Sequence, residues 1–409
     1  MKMRQSIDEL MAAVGCSKWP QRWRQVYEKA MQSYEETGCP YTDPAYYDFL
    51  SEKYHILTEE LDTYKKAAAA VGEREDLSRF LMLLCTALED EEYAKEDLDA
   101  FAEPHSAPDV PSLGLDMLTG LALCSQMPRC YEKLKKRNLP EEIIRASMAA
   151  PEVTVERYRQ RYGGRSGFNQ LAWYQRTAHG KLLRIGRLEI QIPATYQGFA
   201  CAFENDNGKI VLLAHNCQLH RDGFALGATG FEDATGAWIA DIEETPDVWC
   251  GYPYDDRGYV LKEKISLDKR IWRKILSKGD PVVALHIPAG GKFDPQTIDQ
   301  TLDEIRLFLR TYYPEYPYQA IACNSWMMNP KIIDLLGENS NISCFCRRFI
   351  PATRKLPGRD VFDFVFAQGK GEIDLQKLPE DTSLRKKLKQ YYLNGGVLHE
   401  MTGFFVSKE

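Results

Sequence analysis

The chain has 409 residues, 44% hydrophobic and 27% charged, an ordinary globular composition with enough length for two cores. Its 52 lysines and arginines stand against 59 aspartates and glutamates, a net charge of −7, which excludes a general nucleic-acid binder with a clustered basic surface. No apolar run reaches the roughly 20 residues that cross a bilayer, and no apolar signal core follows Met1, so a cytoplasmic protein without a membrane partner is expected.

Residues 1–150 read as an all-α domain. Pro20 opens a helix with Trp23, Val26, Tyr27, Ala30 and Tyr34 on one face and Gly38 at its end. Asp43-Pro44 starts another, and helical spacing continues over Thr58–Val71 and Glu75–Ala94. Pro104, Pro108 and Pro111 mark a loop; helices resume over Leu113–Leu123 and Pro140–Met148. The basic run Lys133–Arg137 belongs to helical sequence and reads as a solvated face. Eleven scattered cysteines without a CxxC pair read as free thiols in a reducing compartment.

Residues 151–409 read as a second, α+β domain. A helix over Pro151–Tyr162 leads to the glycine joint 163–167, after which the period changes. Leu188, Ile190 and Ile192 alternate with Arg187, Glu189 and Gln191, a half-buried strand. Asn207-Gly208 between apolar runs signals a hairpin. Strands are expected at Trp238–Ile242 and Tyr259–Ile265, then a helix at Leu267–Leu276. Later come a strand at Ala320–Trp326, an Asn329 cap with a short helix to Gly337, and a closing antiparallel pair at Ile342–Ile350 and Val361–Ala367. A helix near Ser383–Leu393 and a short apolar tail finish the chain.

The most informative stretch is Asp280–Tyr313. The apolar strand Val282–Ile287 ends at Pro288, Ala289-Gly290-Gly291-Lys292 turns, and Asp294 caps a helix with Pro295 at its first position. Ile298, Leu302, Ile305, Leu309 and Tyr312 make that helix amphipathic. Such a junction aims bare backbone N–H groups and a positive helix end beyond the strand, where glycines permit close approach and Lys292 adds a cation. It reads as a phosphate cradle. It contains neither GxGxxG nor GxxxxGK[ST], so no Rossmann or P-loop motif is present.

The strand order, together with Asp280–Gly291 followed by Ala322-Cys323-Asn324-Ser325-Trp326, resembles a family of two-part acyltransferases with a helical N-terminal domain and a GNAT-like C-terminal domain. The resemblance implies acyl-coenzyme A as co-substrate, with acetyl-CoA the first donor to consider, and a small-molecule or peptide amine as acceptor. It places the pyrophosphate on Ile287, Ala289, Gly290, Gly291 and Lys292, and the pantetheine arm between two strands that splay, near Asn324. The usual turn pattern begins with Gln or Arg and carries two small residues; here His286 and Ala289 replace the first and second of these, and Gly291 matches.

Acyl transfer to an amine needs a base, donors to the carbonyl and a proton for the thiolate. His286, ending the central strand, is the first candidate base, with Glu243 and Glu244 as alternatives and Ser325 as a hydroxyl near the thioester. Glu243 and Glu244 belong to an acidic cluster interleaved with Trp249, Tyr252 and Tyr254, a pattern suited to a cationic acceptor. His215–His220 matches no zinc spacing, so no metal site is assigned. A non-catalytic binding protein on a degenerate GNAT fold is the alternative function.

Overall fold

A computed structural model describes residues 5–90, 98, 101–230, 234–368 and 372–406. The chain divides into two compact units, Met1–Arg184 and Ile185–Glu409. The expected boundary at residue 150 precedes two further helices of the first unit, Ala150–Arg161 and Leu171–Ala178.

The first unit is helical where expected. Trp23–Thr37 ends at Gly38, whose positive φ of 70° a side chain would disfavour. The Asp43 carboxylate accepts from the Ala45 N–H and Pro44 occupies the first position of Pro44–Tyr54. Leu61–Gly72, Glu75–Leu88 and Leu113–Ser125 form the centre of the unit, burying Phe80, Leu84, Leu118 and Leu121. The helix expected over Glu75–Ala94 ends at Leu88, and its residues 91–94 lie outside the described residues. Met127–Lys136 is a helix whose lysines crowd its C-terminal turn, where they complement the dipole.

Strand β1 (Leu182–Ile185) falls across the division; the strands of the second unit are β2 (Leu188–Thr195), β3 (Ala200–Asn205), β4 (Ile210–Ala214), β5 (Cys217–Leu219), β6 (Trp238–Ala240), β7 (Glu243–Glu244), β8 (Val248–Gly251), β9 (Ile265–Asp268), β10 (Trp272–Leu276), β11 (Pro281–His286), β12 (Ala320–Ser325), β13 (Ile350–Pro357) and β14 (His399–Val406). Six strands form one sheet in the order β1-β2-β11-β12-β14-β13. Only β11 and β12 run parallel, joined by the crossover helix Pro295–Tyr312 that buries Ile298, Leu302, Ile305 and Leu309. Strands β3 to β10 all lie in residues 196–280, an insert that makes three small sheets of its own. Its Tyr196, Ala200, Ala202, Leu212 and Leu276 pack with Val282, Ala320, Ala322 and Phe404, covering one face of the large sheet.

Several expected elements are corrected. Leu267–Leu276 is not a helix but the end of β9, a turn and β10; Asp268 accepts from the Arg270 N–H to make the turn, and β10 gains a full antiparallel ladder on β3. The expected strand at Tyr259–Ile265 is mostly turn, with one bridge from Val260 to Tyr254. Ile342–Ile350 contains the helix Asn341–Cys346, because the Ser340 hydroxyl caps the Ser343 N–H. Val361–Ala367 contains the short helix Asp360–Phe364. The closing pair is instead β13 with β14, the latter being the apolar tail.

Candidate active site

β11 and β12 separate at their C-terminal ends. Val282, Val283 and Ala284 pair with Ala320, Ile321 and Ala322, and the parallel ladder ends there. Beyond that point Leu285 and His286 stay with Ile190 and Glu189 of β2, while Cys323, Asn324 and Ser325 stay with Gly403, Thr402 and Met401 of β14. Each strand follows its outer neighbour, which leaves a V with His286 on one lip and Asn324 on the other. Because residues in register share a face and faces alternate along a strand, His286, Glu189, Asn324 and Thr402 all lie on the face that the insert covers.

The turn past the V leaves its backbone N–H groups open. Gly290 and Gly291 have φ of 76° and 72°, where side chains are strained. The N–H groups of Ala289, Gly290, Gly291, Lys292 and Phe293 donate to no group among the described residues. Asp294 closes the helix as expected, accepting from the Thr297 N–H at 3.0 Å and its hydroxyl at 2.8 Å, and these bonds hold its carboxyl below the usual range. Lys292 is exposed beside this end.

Arg187, which the sequence shows only in a strand alternation, stands against this turn. Its backbone N–H donates to Thr301 Oγ1 at 3.2 Å, Nη1 donates to the Pro288 carbonyl at 2.7 Å, and the guanidinium lies 5.3 Å from the Phe293 ring centroid. A Cβ on Gly291 would meet Arg187 Cδ at 3.4 Å, so the guanidinium stands against the turn. The turn pattern lacks its leading Gln or Arg because His286 stands there, and a cation arrives instead from the β1–β2 hairpin. Its distance of 101 residues from Pro288 along the chain hides it from any local motif.

The other sequence candidates separate. Asn324 is exposed, and its Oδ1 accepts from the buried Thr402 hydroxyl at 2.7 Å, which leaves both amide N–H groups to donate elsewhere. Ser325 lies on the opposite face, with Oγ accepting from the Met327 N–H at 3.1 Å, so it caps the following turn. Cys323 is buried and its thiol is pushed well up by burial, the state of a structural cysteine.

Glu243 and Glu244 belong to the separate β7-β8-β9 sheet and are exposed. Glu243 pairs with Lys264 and Glu244 with Lys269 at 2.6 Å; the bond from Lys269 holds Glu244 below the usual carboxylate range. Lys264 and Lys269 also sit over Tyr252 and Trp249, so this patch takes its cations from within the chain. Glu244 lines a groove of about 350 Å³ with Lys274, Ser277 and Lys278, at the start of β11. Six residues of strand, roughly 16 Å, separate that end from His286.

In the same groove His215 Nδ1 lies 2.6 Å from Asp241 Oδ1. Among the described residues no group of three or more His, Cys, Asp or Glu is placed to hold a metal, and no helix is long and apolar enough to cross a membrane.

Comparison with known proteins agrees with this architecture. Residues 48–180 match the N-acyltransferase N-terminal domain family and residues 182–405 the GNAT-like C-terminal domain family. Among solved structures, a mutant acyltransferase in complex with octanoyl-CoA matches with TM-score 0.61 and 18% identity, over 98% of this chain and 99% of that one. An acyltransferase in complex with decanoyl-CoA and teicoplanin matches with the same TM-score, identity and coverage. A search of curated proteins by sequence found no match. With the GNAT-like C-terminal domain spanning more than half the chain and the acyltransferase N-terminal domain preceding it, the chain belongs to the two-domain acyltransferases.

Proposed function

We propose that the protein is an acyl-CoA-dependent N-acyltransferase that works by direct attack of an amine on the thioester. The observation that carries this is the V between β11 and β12, closed at one end by a turn with five bare N–H groups flanked by Arg187 and Lys292. In this reading the turn holds the pyrophosphate, and the pantetheine arm pairs with backbone that the V leaves without a ladder partner. The Asn324 amide donates toward the thioester oxygen or the departing sulfur. His286 takes the amine proton as the C–N bond forms and the C–S bond breaks, and the proton passes on to the coenzyme A thiolate. A coenzyme A-free binding role has no comparable use for this geometry.

The acceptor is a small-molecule or peptide amine entering beneath the insert, the side on which His286 and Asn324 lie. One solved structure of similar fold holds teicoplanin together with decanoyl-CoA, which favours a bulky amine here. Acetyl-CoA is the simplest donor; octanoyl- and decanoyl-CoA in the similar structures add medium chains as candidates. The reading places the enzyme in the cytoplasm, supported by eleven cysteines that are all free. The test is thiol release from acetyl-, octanoyl- and decanoyl-CoA with a panel of amines and peptides, followed by mass spectrometry of the product. Amide product with any pair supports the reading, and hydrolysis or silence with every pair counts against it.

A further inference from the structure

We propose that Glu189 is a positioning residue for His286, holding the imidazole in the orientation in which it takes the amine proton. This rests on the reading of His286 as base. The antiparallel register sets Glu189 of β2 directly across from His286 of β11, after an irregularity between Val282 and Ala284 that resets the pairing. Directly opposed residues have Cβ atoms about 5 Å apart, so a glutamate carboxylate reaches an imidazole nitrogen within one rotamer choice.

Both residues are half-buried, on the face turned toward the insert and at the mouth of the V. The next register pair on that face is neutral, Gln191 with Ala284, and the facing lip carries the neutral Asn324–Thr402 pair. Charged or titratable groups on adjoining elements include Arg187 and Lys292 at the turn, Glu304 of the crossover helix beside Gly186, and His399 and Glu400 at the start of β14. Tyr196 and Tyr254 of the insert pack on this face, and burial keeps both hydroxyls neutral. Arg187 is directed to the Pro288 carbonyl and the Phe293 ring.

A carboxylate bonded to one imidazole nitrogen fixes which nitrogen faces the amine and stabilises the imidazolium that forms when the proton arrives. The proton taken by His286 leaves the amine nitrogen as its lone pair forms the C–N bond, and the C–S electron pair departs with the thiolate. Glu189 itself gains and loses nothing. The irregularity at Val282/Ala284 has a role here: a one-residue slip of β2 would carry Glu189 to the other face and set Leu188 or Ile190 beside the imidazole.

The test uses the full chain labelled at histidine Cε1, with the His286 resonance assigned by its loss in His286→Gln. Glu189→Gln removes the charge and keeps the shape. It should lower the His286 titration midpoint by about half to one pH unit. The acidic limb of the kcat profile should move to lower pH by the same amount, with kcat at neutral pH down about tenfold and KM for acyl-CoA unchanged. Glu189→Asp should recover part of the loss. An unmoved midpoint, or a moved midpoint with an unmoved rate limb, overturns the proposal. If His286→Gln keeps its turnover, the base assignment falls and the catalytic use of the pair falls with it. If His286→Gln is inactive while the Glu189→Gln profile matches wild type, only the role of Glu189 is lost.

Discussion

Gly291→Asp puts the cradle under the most severe single test. Gly291 has φ of 72°, so any side chain there costs roughly 1–2 kcal/mol. A domain with about 5–15 kcal/mol of stability tolerates that loss. The new Cβ would stand 3.4 Å from Arg187 Cδ, which brings the carboxylate onto the guanidinium and takes up the cation proposed to meet phosphate. It also adds a like charge to the site. At about 4 Å and an effective dielectric of 20, one unit repulsion is about 4 kcal/mol, close to a thousandfold in Kd. Gly291→Ala carries the strain without the charge, and its Kd should rise by no more than about tenfold. Isothermal titration with coenzyme A, alongside circular dichroism, measures both. A folded Gly291→Asp variant with Kd within threefold of wild type would remove the turn from the site.

Further outcomes follow from individual contacts. Arg187→Gln should weaken coenzyme A by about ten- to a hundredfold, from loss of one charge-assisted bond of about 1.5–3 kcal/mol. The same variant should leave affinity for a pantetheine thioester lacking phosphates unchanged. His286→Gln should lower turnover at least tenfold while its melting temperature stays within a few degrees of wild type; a large melting shift with activity intact would make His286 structural. Thr402→Val removes the bond that orients Asn324, about 1 kcal/mol, and should lower kcat a few-fold with KM for acyl-CoA nearly kept.

His399 supplies a pH test of stability. Burial lowers its pKa from 6.5 to about 4, so between these values the unfolded chain binds a proton that the folded chain refuses. Its contribution is intact above pH 6.5, falls as pH drops, and levels off below about 4, amounting to about 3 kcal/mol. Denaturant melts at pH 7 and 4.5 should therefore differ less in His399→Gln than in wild type; an equal difference would show that the histidine is not the responsible group.

The sequence is most legible where local chemistry and tertiary structure agree. Asp280–Tyr313 carries a buried apolar strand, two glycines in the left-handed region and an Asp-Pro cap, and each signal is satisfied by groups within a few residues. It fails where short apolar runs have no period long enough to decide between helix and strand. Asn341–Cys346 is rich in isoleucine, phenylalanine and cysteine yet helical, because one serine caps it. Trp272–Leu276 has helix-like apolar spacing yet is a strand, because β3 offers it an antiparallel ladder of four pairs. Arg187 and Glu189 were visible only as the polar half of an alternating strand. Their roles depend on which strand lies beside β2 and in what register, and that information is in the fold, not the local sequence.

The central claim is that the V between β11 and β12, with its glycine turn, is an acyl-CoA site. It is tested most directly by thermal unfolding of the wild-type chain with acetyl-, octanoyl- and decanoyl-CoA, and with adenosine 3′,5′-bisphosphate as a control lacking the pantetheine arm. A donor present at about a hundred times its Kd should stabilise the fold by about 2.7 kcal/mol, raising the melting temperature by several degrees. That gain should be lost in Gly291→Asp. No shift with any coenzyme A species at millimolar concentration, or an equal shift in wild type and Gly291→Asp, would contradict it.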